Sequence, residues 1–275
     1  MTQLKNTSRN IDRTQFKDVP KEQQKLFFDF RKNRPYSTIT FQRKEFKFLS
    51  SGQSGNTSVF LHGTLVRPDM WFYLILKLEW KFRIIAPLFP AQGMGVQKAV
   101  DLVHAILEQE KITKVILIGY SYGGGVAQYF AEKYPDFVET LVLSHTGLLR
   151  KESAKQKVTK TYKILRFMPF FMVKFLFKRR LACFSDSSWN EFHQAYFKEI
   201  FSELNKPLLS ELLSNAIKYV DELPEDIDYK RTWQGKTIIL ATKDDKDTFN
   251  HLDSLKELYK NSEVYVFDEL GGHHI

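Results

Sequence analysis

Cysteine is nearly absent from this chain. A single one, Cys183, stands among 275 residues, so no internal disulfide can form and nothing demands an oxidising compartment. Long apolar runs are absent too. No stretch of 18 uncharged apolar residues occurs, which excludes a membrane-spanning helix. The start, Met1 to Arg9, lacks the apolar core of a secretory signal. Together these absences point to the cytoplasm. There is no internal repeat, no low-complexity tract and no nucleic-acid-binding signature. What is in excess is positive charge: 41 Lys and Arg against 32 Asp and Glu, a net +9. A surplus of that size suits an anionic partner surface or simply a soluble basic exterior.

The composition is otherwise that of a globular protein, 43% hydrophobic and 27% charged. The most informative stretch is Val115 to Gly125. Val115-Ile116-Leu117-Ile118 reads as a buried strand. Gly119-Tyr120-Ser121-Tyr122-Gly123 follows at once, a G-x-S-x-G. Val126 to Tyr134 then reads as a helix that ends before Pro135. Strand, tight turn with serine at its tip, helix: this context makes the pattern a nucleophile elbow. Gly119 and Gly123 lack a Cβ, so strand and helix can close around the bend. The Tyr122 N–H, at the start of the helix, is placed to donate to an oxyanion.

Around this centre the chain alternates. Pro20 to Phe30 suggests a short helix, and Tyr36 to Leu49 suggests strands with one wet face. Thr57–Leu61 and Phe82–Ala86 read as apolar strands, followed by helices at 68–78 and 96–109. Val138–Leu143, Lys236–Ala241 and Glu263–Phe267 are further strands, with a helix over about 249–260. Apolar strands alternating with helices imply a parallel α/β sheet with helices on both faces, whose ligands bind at the carboxyl ends of the strands. From about Leu148 to Arg231 no strand is evident. Lys163 to Phe184 is dense in Phe, Met, Leu, Lys and Arg, and 189–204 and 207–220 read as helices.

Four features stand in order: a strand running into His62-Gly63, the elbow at Ser121, an acidic cluster after a late strand, and Gly272-His273 after the last strand. With these the chain resembles the lid-bearing α/β-hydrolases over most of residues 36–275. The resemblance implies an α/β-hydrolase fold, a mostly parallel central sheet flanked by helices, with a helical lid inserted after the sixth strand. It divides the chain into an N-terminal extension, 1–35; a first core part, 36–147; a lid, 148–231; and a second core part, 232–275, from which the family's final helix is missing. It implies a triad in the order Ser, acid, His: Ser121, Asp245 and His273. Asp244 is the close rival to Asp245, with Asp247 deeper in the loop, and His274 is the neighbour of His273. The oxyanion donors would be the amides of Thr64 and Tyr122, with Leu65 the alternative to Thr64, while His62 orients its loop.

Such a site needs no metal and no cofactor. The Phe- and Met-rich lid implies an apolar pocket, hence a small hydrophobic ester as substrate. The basic and apolar segment 163–184 also suits peripheral contact with a membrane. A looser resemblance, to maspardin-type members of the superfamily, rests on 72–90, Met168 to Met172 and Gly271-Gly272. It implies the alternative of a binding or scaffold protein on a hydrolase fold.

Overall fold

A computed structural model describes residues 13–53, 55–147, 151–181, 188–223 and 233–268. Eight strands form one sheet. β1 (Tyr36–Phe41) and β2 (Lys44–Ser51) make an antiparallel hairpin at its edge, and β2 pairs antiparallel with β4 (Arg83–Leu88). From there every pairing is parallel. β3 (Thr57–Leu61) lies between β4 and β5 (Val115–Tyr120), and β6 (Val138–Ser144), β7 (Lys236–Thr242) and β8 (Ser262–Phe267) follow outward in chain order. β3, the most enclosed strand, is buried at all five positions, as its uninterrupted apolar pattern requires.

Alternation along the strands divides the core between two faces. Val59, Leu61, Ile85 and Leu117 pack with α3 (Val96–Gln109), α4 (Tyr122–Lys133) and α10 (Leu252–Leu258). Phe60, Ile84, Ala86 and Leu49 point the other way, toward α1 (Lys21–Asn33), α2 (Phe72–Leu78) and α7 (Asn190–Ser202). That second face is aromatic. Phe27 sits 5.4 Å from Phe16, 5.0 Å from Phe72 and 4.9 Å from Phe192, ring centre to ring centre. The N-terminal stretch, set apart as an extension in the sequence, is therefore part of the body from Arg13 onward. Phe16, Phe27 and Phe30 are fully buried there.

A buried ionic network ties the same elements together. Arg31 donates to Asp69 at 2.7 Å and to both carboxylate oxygens of Glu199 at 2.9 and 2.8 Å. The Tyr196 hydroxyl donates to Asp69 at 2.8 Å, and Arg67 bonds Glu203 at 2.6 Å. Burial opposes ionisation of Asp69, but Arg31 and Arg67 outweigh it and hold the carboxyl below its usual range.

Between β6 and β7 the described chain is helical. α5 (Lys151–Phe167) and α6 (Phe170–Leu181) are separate because Pro169 lacks an N–H and disfavours helix at the residue before it. α8 (Lys206–Asp221) is capped by Asn205, whose side chain accepts from the Leu208 N–H at 2.9 Å. The single helix expected over about 249–260 is instead α9 (Lys246–Phe249) and α10. The Asp245 carbonyl accepts from Thr248 and Phe249 and so starts the first turn early, before a break at Asn250–His251.

Candidate active site

The elbow takes the conformation that its spacing implies. Ser121 has φ 53° and ψ −117°, between the end of β5 and the start of α4. Few L-residues tolerate that backbone, and several bonds hold it. The Ser121 N–H donates to Ser144 O at 3.1 Å, while its carbonyl accepts from Gly124 N–H at 2.9 Å and the Thr146 hydroxyl at 3.0 Å. The flanking glycines are required by close approach. A Cβ on Gly119 would meet Gly123 O at 2.5 Å, and one on Gly123 would meet Leu61 O at 2.2 Å.

Ser121 opens onto a cleft of about 470 Å³ at the carboxyl ends of the strands. Thr64, Tyr122, His145, Thr146 and Thr248 line it from the sheet side; Val158 of α5 and Leu212, Asn215, Ala216 and Tyr219 of α8 line it from the helices between β6 and β7. α8 is tied across the cleft. Asn215 donates to Gln92 O and Gly93 O at 3.2 Å each, and Glu222 accepts from the Gln97 N–H at 3.1 Å, at the start of α3. A larger cleft, about 740 Å³, lies by Arg34, Glu79 and Arg83. It sits at the opening end of β4, is polar, and is bridged by the Arg34–Glu79 ion pair, so it is not where a strand-end site belongs.

His62 is buried and its role is legible from its bonds. Nε2 accepts from the Phe89 N–H at 3.0 Å, so Nδ1 carries the proton and donates to Gly63 O at 2.7 Å. Burial lowers its pKa to about 4, so the ring is neutral at pH 7. It braces the loop that presents Thr64. Thr64 is exposed at the cleft, and Leu65 follows with φ 68°. Tyr122 is the first residue of α4, where backbone N–H groups have no partner within the helix. Its hydroxyl is anchored on Met94 O at 2.9 Å.

Of the three acids, Asp245 is 3% exposed and Asp244 is exposed; the Asp247 side chain lies outside what is described. The Thr248 hydroxyl, at the cleft, donates to Asp245 Oδ2. One cleft thus gathers Ser121, Thr64 and Tyr122, with Asp245 one residue behind its wall. His273 and His274 fall outside the described residues. Among the described residues no cluster of three or more His, Cys, Asp or Glu could hold a metal.

The sequence reading did not single out His145 or the α8 residues. His145 is 2% exposed with φ 46°, and its Nδ1 lies 2.9 Å from Ser144 Oγ. Its place just past β6 was the signal available. Asn215 and Tyr219 gave none, because only the crossing of α8 brings them there.

A family model described as the alpha/beta hydrolase fold matches residues 59–275. The chain belongs to the α/β hydrolase fold family. Among curated proteins, an uncharacterized protein of Mycobacterium tuberculosis is 28% identical over 125 residues, 42% of this chain and 36% of its own length. The match spans about a third of that relative. Est816, described as an N-acyl homoserine lactone degrading enzyme, superposes with a TM-score of 0.68 at 19% identity, covering 86% of this chain and 93% of its own. A thermophilic esterase from Thermogutta terrifontis superposes with a TM-score of 0.66 at 21% identity, covering 87% and 91%. At these identities the α/β hydrolase architecture is what is shared.

Proposed function

We propose that this α/β hydrolase is a serine esterase that cleaves carboxylic esters with a hydrophobic acyl or alcohol part. The observation that carries the proposal is the strained Ser121, held at a helix start on the floor of a largely apolar cleft. Ser121 Oγ attacks the ester carbonyl while His273 takes its proton. The carbonyl electrons move to oxygen, which the Thr64 and Tyr122 amides stabilise. One such donor is worth about 3 kcal/mol. Collapse breaks the ester C–O bond, and His273 returns the proton to the departing alcohol. Water then hydrolyses the acyl-serine by the same route, with Asp245 orienting His273 throughout. A serine at this position argues against the aspartate-based chemistry of epoxide and haloalkane hydrolysis.

In this reading the inserted region, 148–231, acts as a lid whose α5 and α8 shape the acyl pocket. Core segments 36–147 and 232–275 supply the catalytic groups. The relatives described as an esterase and a lactone-degrading enzyme accord with acyl transfer to water.

The test is turnover of p-nitrophenyl esters of rising chain length. Rates should rise from acetate toward medium chains. Ser121→Ala should lower kcat by at least about a thousandfold, and adding His273→Ala to it should cost little more, because the triad acts as a unit. Equal turnover by wild type and Ser121→Ala would refute the mechanism and favour a binding role.

A further inference from the structure

The net charge of this chain has an address. Between Lys151 and Leu181 the sequence holds ten Lys or Arg and one Glu; the whole chain holds 41 and 32. The remainder is therefore balanced at 31 of each sign, and the entire +9 belongs to the helical hairpin α5–α6.

That hairpin is apolar on two sides. Its inner stripe, including Leu165, Met168 and Val173, packs against Leu204, Leu209 and Leu213. Its outer stripe joins no hydrophobic cluster among the described residues. Phe167 is 82% exposed, Phe171 73%, Phe175 62%, Ile164 50%, Leu176 46% and Met172 43%. Six of the thirteen exposed large hydrophobic side chains among the described residues fall between 164 and 176. Phe167 and Phe171 flank the turn at Pro169, and Phe171 and Phe175 share a helix face by their spacing of four. Exposed Lys160, Lys163, Arg166 and Lys174 stand among them. Lys174 lies over the Phe170 ring at 5.1 Å.

We propose that the α5–α6 corner docks this protein onto an anionic lipid surface. Aromatic rings at a corner, ringed by long basic side chains, match the boundary between acyl chains and headgroups. The rings enter the apolar side, and the ammonium and guanidinium groups reach phosphate. A second copy of the chain fits poorly, because it would oppose one +9 hairpin to another. No described helix is long and apolar enough to cross a membrane.

The test is flotation of the full chain with vesicles of equal parts phosphatidylglycerol and phosphatidylcholine, against phosphatidylcholine alone, at low and high salt. Wild type should float with the anionic vesicles at low salt and be released by high salt. Phe167→Ser/Phe171→Ser/Phe175→Ser should weaken partitioning at least about tenfold. Lys160→Glu/Lys163→Glu/Arg166→Glu/Lys174→Glu should weaken it by about fivefold or more per residue. Thermal midpoints establish that the variants fold. Should the triple variant aggregate, Phe167→Ser alone decides, since its ring makes little of the core. Absence of flotation by folded wild type, or flotation unchanged in both variants, overturns the proposal. So does light scattering that shows a wild-type dimer turned monomeric by the Phe substitutions, which would give the face to a second copy.

Discussion

Replacing Ser121 by glycine should make this protein more stable. Its φ of 53° and ψ of −117° lie where a side chain crowds its own backbone, at a cost of about 1–3 kcal/mol. The bonds from Gly124, Thr146 and to Ser144 hold the turn in place, so it does not relax away. Glycine adopts this backbone freely but loses about 0.5–1 kcal/mol more on folding, through the entropy of the unfolded chain. The net gain is about 1 kcal/mol, or roughly 2–4 °C in Tm for a domain of this size. Ser121→Ala is the control: it removes the hydroxyl and keeps the Cβ. Urea and thermal unfolding of the three proteins should rank glycine above alanine, and both should lack activity. If Ser121→Gly were no more stable than Ser121→Ala, the strain ascribed to the elbow would not exist. The claim that the fold gives up stability to present this hydroxyl would fall with it.

Further outcomes follow from other parts of the structure. His62 has its folded pKa lowered to about 4 against about 6.5 unfolded, so below pH 6.5 the unfolded chain binds a proton that the folded chain refuses. Stability should fall by about 3 kcal/mol between pH 6.5 and 4 on this account. His62→Gln should flatten part of that slope, leaving the contribution of His193, lowered likewise by burial; an unchanged slope in denaturation across pH would count against it. Phe27→Ala should cost about 3–5 kcal/mol in urea unfolding, a core-sized loss from a segment far from the motifs. A surface-like loss would contradict the packing of the N-terminal helix. The Tyr219 hydroxyl is buried with no hydrogen-bond partner among the described residues. Tyr219→Phe should therefore hold or raise Tm, and a drop of several degrees would reveal a bond to it.

The elbow was readable because every part of it is local: an apolar run, two glycines at fixed spacing and a helix ending at proline. The same holds for the parallel strands and for α3, which begins and ends where its periodicity does. What could not be read is long-range. Nothing in the local pattern says that Phe27, Phe72 and Phe192 share one core, or that Arg31 and Glu199 pair across 168 positions. The order of the strands, with β4 between β2 and β3, is likewise a matter of crossovers. Asp245 is buried and Asp244 is exposed, a difference that no local pattern in the loop shows. The distribution of charge lay open in the sequence. Its meaning came only when the aromatic side chains beside it proved exposed.

The central claim, an activated serine at position 121, is tested most directly by labelling with a fluorophosphonate probe, wild type beside Ser121→Ala. A covalent adduct is expected on wild type, mapped to Ser121 by mass spectrometry, and none on the variant. No adduct on a wild-type protein shown to be folded, or an equal adduct on both, would contradict it.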